Sequence, residues 1–248
     1  MEKVNNSDER ILIKDCTSIS SYLKAVRKFV PADDKDYMYC FRGEAVSNWK
    51  LSSSLARYPV LDDEDTVKRM YGEVLKNYPN EFDKKEIANL NFNDLAKMQH
   101  YRIPTDLIDV SLNPLVAMFF ATGQGKGKWG VKSGRVYIFK VPNDSVFRKG
   151  QKLVFPKDGE KDEKDCGIIQ TSYTNERIKQ QDGAFLYAST PKQLEKFVFH
   201  TIIIKNANKS KIRQELRKEN ISHTTLFPEF SEFHEYLKEA YNLEIPKK

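Results

Sequence analysis

Cysteine is scarce: three residues, Cys16, Cys40 and Cys166, in a chain of 248. An odd number at wide spacing argues against a disulfide framework and against a zinc knuckle. Long hydrophobic runs are missing as well. The longest apolar stretches, around residues 115–121 and 201–204, fall well short of the roughly 20 residues that cross a bilayer. The first six residues are polar and carry no apolar signal segment, so the expected location is the cytoplasm, with no membrane partner. The spacing of a phosphate-binding P-loop is absent from the glycine-rich stretch 123–134. No H-E-x-x-H pair joins the scattered His100, His200, His223 and His234, so no metal site is expected. A G-x-S-x-G nucleophile elbow is missing too.

What remains is an ordinary folded composition, 40% hydrophobic and 31% charged. The length suits one large domain or two small ones. The formal net charge of +6 permits attraction to nucleic acid or a nucleotide, but Lys and Arg are dispersed along the chain and often sit beside acids.

The patterning mixes helices and strands without strict alternation. Strands are expected at 11–14, 37–41, 107–110, 135–141, 184–188 and 197–205, where β-branched and aromatic residues concentrate. Helical spacing marks 22–29, 65–77, 90–101, 210–218 and 228–241. A Ser/Thr cluster at 17–20 supplies N-caps for the first of these. Asn113-Pro114 opens another helix, with Pro in the first turn where its missing N–H has no consequence. That helix, through Ala121, is apolar on nearly all sides and therefore buried. Residues 123–134, with five glycines among lysines, and the charged stretch 149–165 read as loops. The expected fold class is α+β, a mixed, mainly antiparallel sheet with surrounding helices.

Three blocks stand out. Phe41-Arg42-Gly43-Glu44 is followed by Trp49-Lys50-Leu51 and Ser54-Leu55-Ala56-Arg57. Gln99-His100-Tyr101-Arg102-Ile103-Pro104-Thr105 precedes Leu107-Ile108-Asp109-Val110-Ser111 and Asn113-Pro114. Arg177-Ile178 precedes Gln181-Asp182-Gly183-Ala184-Phe185, and Leu226-Phe227-Pro228-Glu229 is a weaker fourth. With these blocks the chain resembles the FRG family, named for its Phe-Arg-Gly triplet. The family pattern usually has a basic residue where this chain has Asp106, and often a tryptophan at Val110. The resemblance runs over about residues 35–241 and implies one FRG domain across 1–248.

FRG proteins are associated with bacterial toxin and anti-phage defence systems. The order of blocks is also similar to that of ADP-ribosyltransferases. That likeness implies an ADP-ribosyltransferase-like fold, with Arg42, Tyr101, Ser111 and Gln181 in catalytic positions. Arg42, Arg57, His100, Tyr101, Thr105 and Asp109 would then contact NAD, taken as substrate with no metal. Arg42 suits a pyrophosphate, which a guanidinium grips with two hydrogen bonds. Tyr101 suits stacking on nicotinamide, and the amide of Gln181 suits a ribose hydroxyl. His100 has the pKa range for acid–base work. Asp109 and Ser111 share one strand face, where Asp109 could orient Arg42 or cap the next helix. For a catalytic carboxylate, Asp182, Glu176, Glu44 and Glu229 are the candidates. The implied acceptor is a macromolecule, RNA or DNA being favoured by Lys126, Lys128 and Lys132, and an antitoxin or defence-system partner is implied too. Two rivals stand: a non-catalytic nucleic-acid or nucleotide-binding module, and a nuclease toxin using His100 with Asp109.

Overall fold

Capping chemistry and periodicity set most of the elements. The computed structural model describes residues 12–13, 16–83, 85–123, 132–147, 166–170, 175–188, 191–229 and 237. Helix α1, Ile19–Phe29, starts at Ser18, whose hydroxyl accepts from Ser21 N at 3.2 Å, and it buries Tyr22 and Val26. α2, Glu64–Asn77, is capped by Asp63 and turns Val67, Tyr71 and Leu75 inward. α3, Phe92–His100, is capped by Asn91 and buries Phe92, Leu95 and Met98. α4, Pro114–Thr122, begins at Asn113, whose side chain accepts from Leu115 N at 2.9 Å. Four more helices complete the described set: α5, Glu176–Gln180; α6, Pro191–Phe197; α7, Asn206–Lys218; and α8, His223–Leu226. Of these, only α7 answers to an expected helix.

The strands are β1, Leu12–Ile13; β2, Tyr37–Glu44; β3, Leu107–Ser111; β4, Gly134–Pro142; β5, Val146–Phe147; β6, Cys166–Ile169; β7, Gly183–Ala188; and β8, Val198–Ile204. They form one eight-stranded sheet in the order β1-β8-β4-β2-β3-β7-β6-β5. The six central strands are antiparallel, and the two-residue edge strands β1 and β5 pair in parallel. The α+β class and the mainly antiparallel sheet agree with the patterning. The expected loop 149–165, the lysines 126 and 128, and, Leu237 apart, the expected last helix beyond Glu229 lie outside the described residues.

Alternation along the strands divides the core between two sheet faces. On one face Phe41, Val136, Ile138, Ile202 and Ile204 pack with α1, α4 and α7, and Leu107, Phe185 and Tyr187 pack with α2 and α3. On the other, Cys40, Ile108, Val110, Tyr137, Phe139 and Leu186 pack with Leu194 and Phe197 of α6. β4 also touches β6, although three strands lie between them, so the sheet curls around this second face.

Two glycines let α4 lie directly on the sheet. A Cβ at Gly43 would stand 1.8 Å from the carbonyl oxygen of Ala117, and one at Gly134 would stand 1.9 Å from that of Ala121. The glycine of the Phe-Arg-Gly triplet therefore makes room for a helix.

The middle of the sheet is split. β2 pairs with β4 along its whole length, from Tyr37↔Pro142 to Glu44↔Arg135, but meets β3 only at Phe41↔Ser111. Past that pair the two strands are unladdered, and a cleft opens between them.

Candidate functional site at the split between β2 and β3

A strand carbonyl that loses its ladder partner needs another donor. Arg42 provides one: its Nη1 donates to the backbone oxygen of Asp109 at 2.8 Å, across the split. Its Nε also pairs with Glu44 Oε1 at 3.3 Å. Glu44 is 5% exposed and shares its other oxygen with Arg135 Nη2 at 3.0 Å, so one buried carboxylate balances two guanidinium groups. Arg135 donates further to the Trp49 carbonyl and lies over the Tyr137 ring at 4.4 Å. Burial first, and then the Glu44 carboxylate, push the Tyr137 phenol up to about 12. Arg42 is thus ion-paired, yet its side chain is 16% exposed and reaches a cavity. The two bonds use two of a guanidinium's five N–H donors.

Two cavities adjoin β3. One, of about 220 Å³, is lined by Arg42, Ser52, Ser54, Arg57, Ile103 and Ile108 among others. The second, of about 180 Å³, is lined by His100, Arg177, Ile178, Gln181, Ala184 and Phe185 among others. Gln99, Arg102 and Asp109 line both, so the two form one groove with these residues at its waist. Neither cavity alone reaches the ~300 Å³ at which small-molecule sites begin; together they exceed it.

A relay anchored on a buried threonine holds the waist. Thr105, fully buried, donates its hydroxyl to Gln99 Oε1 and accepts from Leu107 N at 3.3 Å. With Oε1 so engaged, the Gln99 amide nitrogen is turned to Asp109 and donates to Oδ1 at 2.8 Å. Thr105 is itself tied down by Ser54. Its N–H donates to Ser54 Oγ at 3.0 Å, and its carbonyl accepts from Ser54 Oγ at 3.1 Å and from Leu55 N at 3.0 Å. The expected orienting contact between Asp109 and Arg42 exists, but through the Asp109 main chain; its exposed carboxylate is held by Gln99.

The remaining expected residues are placed as follows. His100 lines the second cavity and takes a hydrogen bond from Asn175 Nδ2, 2.9 Å from its Nδ1. Tyr101 is 60% exposed, edge-on to His100 at 5.3 Å, and lines neither cavity. Arg57 is exposed at the first cavity. Gln181 lines the second, with its side-chain amide donating to the Leu226 carbonyl at 2.9 Å. Ser111 is buried and lines neither: its hydroxyl donates to the Gln181 carbonyl at 2.6 Å and accepts from Asn113 N at 3.0 Å, so it ties β3 and α4 to the turn before β7. Arg42 and Gln181 therefore sit at opposite ends of one groove, with Asp109 between them.

None of the four carboxylates singled out from the sequence lines either cavity. Glu44 is the buried partner of two arginines, Glu176 pairs with Lys179 at 3.1 Å, and Asp182 accepts from Asn113 Nδ2 at 3.2 Å. The carboxylate of the groove is Asp109. Gln99, Arg102 and Arg177 line it without having been given a role from the sequence, although all three stand in the motif blocks. The available signal was the polar density of 99–102 immediately before a helix-stopping Pro104.

Among the described residues no group of His, Cys, Asp or Glu is arranged to hold a metal ion, and no helix is long and apolar enough to cross a membrane. No curated protein matches the chain, and no solved structure does. Residues 37–128 match the model of the FRG domain family. The triplet Phe41-Arg42-Gly43, the Thr105–Gln99–Asp109 relay and the waist of the groove all fall within that span, so it is this part of the chain that is similar to an FRG domain.

Proposed function

We propose that the groove binds NAD and that the chain transfers ADP-ribose from it to a macromolecular target, in a toxin or anti-phage defence role. The observation that carries this reading is the position of Asp109: an ordered carboxylate at the waist between a cavity lined by Arg42 and Arg57 and one lined by His100, Arg177 and Phe185. Arg42 and Arg57 would take the pyrophosphate, which suits planar bidentate donors. The nicotinamide ring would enter the second cavity, beside His100 and Phe185. The ribose then lies at the waist. As the bond from ribose to nicotinamide breaks, its electron pair leaves with nicotinamide and positive charge develops on the ribose. A carboxylate at that place stabilises the charge, and it acts best when it is already oriented, as Gln99 orients Asp109. A nucleophile of the acceptor then forms the new bond and gives up its proton to solvent.

Incubation with labelled NAD and cell extract tests the proposal, with Asp109→Asn as the partner experiment. The wild type is expected to transfer label. Asp109→Asn is expected to keep its NAD affinity while transfer falls at least ~100-fold. Absence of both NAD binding and transfer removes the proposal. Salt-sensitive binding of RNA or DNA without NAD turnover would point instead to a non-catalytic module. Cleaved nucleic-acid ends formed without NAD would point to a nuclease.

A further inference from the structure

The end of α3 is built against its own local preference. Arg102 N donates to the Gln99 carbonyl at 2.9 Å and Ile103 N to the Met98 carbonyl at 3.0 Å. With Tyr101 as the C-cap, these two bonds form a Schellman motif. Its residue after the cap takes the left-handed conformation, and glycine is the usual occupant because it has no Cβ to clash. Here that residue is Arg102, with φ at +63°. The other non-glycine residues at positive φ are Asp83, Asp182 and Asn220, types whose short side chains tolerate the region. Arg102 is the bulky exception among the described residues, and it is also one of three residues that line both cavities. A long cation kept at a position that favours glycine, and standing at the waist of a groove, is the pattern of a residue retained for its ligand.

We propose that Arg102 is a binding residue for the phosphate groups of the nucleotide, kept at the waist by a helix cap that would be more stable with glycine. The proposal rests on the reading that this groove takes a nucleotide, and it narrows the recognised feature to the pyrophosphate. Arg42 and Arg57 lie at the first cavity only, so Arg102 is the one arginine on both sides of Asp109. The same side chain would then touch the phosphates and stand beside the reacting ribose.

Two variants separate ligand binding from strain. Arg102→Ala removes the guanidinium and keeps a Cβ at positive φ; Arg102→Gly removes both. Titration calorimetry with inorganic pyrophosphate, and separately with NAD, is paired with thermal melting. Both variants are expected to bind pyrophosphate at least tenfold more weakly than wild type. Arg102→Gly is expected to melt about 2–4 °C above Arg102→Ala, the shift that relief of left-handed strain gives in a domain of this size. Pyrophosphate affinity in Arg102→Gly within twofold of wild type overturns the proposal, and so does a melting point no higher than that of Arg102→Ala. If wild type binds pyrophosphate through Arg102 but not NAD, the NAD reading falls and this assignment stands. If both wild type and Arg102→Gly bind NAD equally, the assignment falls and the NAD reading stands. A wild type that binds neither ligand removes both.

Discussion

Gly43→Ala is a test of what the triplet's last residue does. The added Cβ would stand 1.8 Å from Ala117 O, 2.7 Å from Ala121 N and 2.8 Å from Ala117 C, all main-chain atoms of α4. No rotamer change relieves a clash with backbone. Non-bonded carbons settle at roughly 3.5–4.0 Å, so α4 must lift from β2 by more than ~1 Å. A gap of that size forfeits about a quarter to a half of the dispersion attraction at each contact. The helix buries Val116, Ala117, Met118, Phe119 and Ala121 against the sheet and its neighbours, so the loss is spread over many contacts. We expect at least ~3 kcal/mol of destabilisation, the upper end for overpacked cores. The melting temperature should fall by about 6–12 °C.

Gly134→Ala strikes the same helix, with its Cβ 1.9 Å from Ala121 O. One lift of α4 relieves the contacts of both with Ala117 and Ala121, and leaves that of the Gly134 Cβ with the Glu44 carbonyl oxygen of β2, at 2.9 Å. The double variant should therefore be more stable than the sum of the single losses implies, by at least ~1 kcal/mol. Urea denaturation followed by circular dichroism measures all three, with unchanged slopes licensing the comparison. Gly43→Ala within 1 kcal/mol of wild type, or strict additivity in the double variant, would refute the account. Pyrophosphate binding, measured well below the melting transition, should persist in Gly43→Ala, because Arg42 leaves β2 on the opposite face from α4.

Three further outcomes are expected. Glu44→Gln removes the carboxylate shared by Arg42 and Arg135 and should lower stability by about 3 kcal/mol, the low end for breaking a buried pair because both arginine side chains keep 16% exposure; a loss under 1 kcal/mol in chemical denaturation would mean that solvent already screens the pair. Thr105→Val keeps the shape but frees the Gln99 amide to turn, so it should cost about 1–3 kcal/mol and lower the rate of transfer more than NAD affinity; equal changes in kcat and KM would argue against a relay. Lys209, buried with its ammonium donating to the Ala45 carbonyl at 2.7 Å, has its pKa lowered to about 8 by burial and then by Arg213. Between pH 8 and 10 the unfolded chain binds a proton there that the folded chain has lost, so this group makes stability rise with pH in that window. Lys209→Met should remove that rise relative to wild type in melts across the same range.

The legible part of the fold was the part written in local signals. Ser18, Asn113-Pro114 and the periodic faces of α1 to α3 are caps and stripes that a short window contains, α4 is a short apolar run, and β2, β3, β4 and β8 carry dense β-branched and aromatic residues. β6 is four residues with a glycine inside, and its strand character comes from pairing with β7. The five-residue α5 and the four-residue α8 are too short for periodicity to register. At the site, the nearness of Arg42 and Asp109 was legible as a pairing of charge. That the bond goes to a main-chain oxygen was not, because it depends on β2 and β3 parting after a single bridge. Ser111 was read as a reacting group from its place in a block, whereas its hydroxyl is engaged by Gln181 and Asn113 in holding three segments together. Tyr101, expected to stack on a ligand, projects 60% exposed beside His100.

The three residues of the triplet divide their work between two faces of one strand. Phe41 enters the core beneath α4, Gly43 admits that helix to contact, and Arg42, pointing the other way, closes the unpaired end of β3. Each task belongs to the architecture of the split sheet, and only Arg42 also reaches the groove. A chain could keep the triplet intact and still carry a groove of different chemistry, since the residues at the waist come from α3, its cap and β3. Chemistry within such a sheet is better judged from the residues standing at Gln99, Arg102 and Asp109 than from Phe-Arg-Gly. On that reasoning Arg42→Lys should lower stability, because a lysine cannot serve Glu44 and the Asp109 carbonyl with the same planar fork, while Asp109→Asn should leave stability nearly unchanged and remove transfer. Melting curves and label transfer on the two variants give the crossed result, and loss of transfer without loss of stability in Arg42→Lys would reverse the assignment.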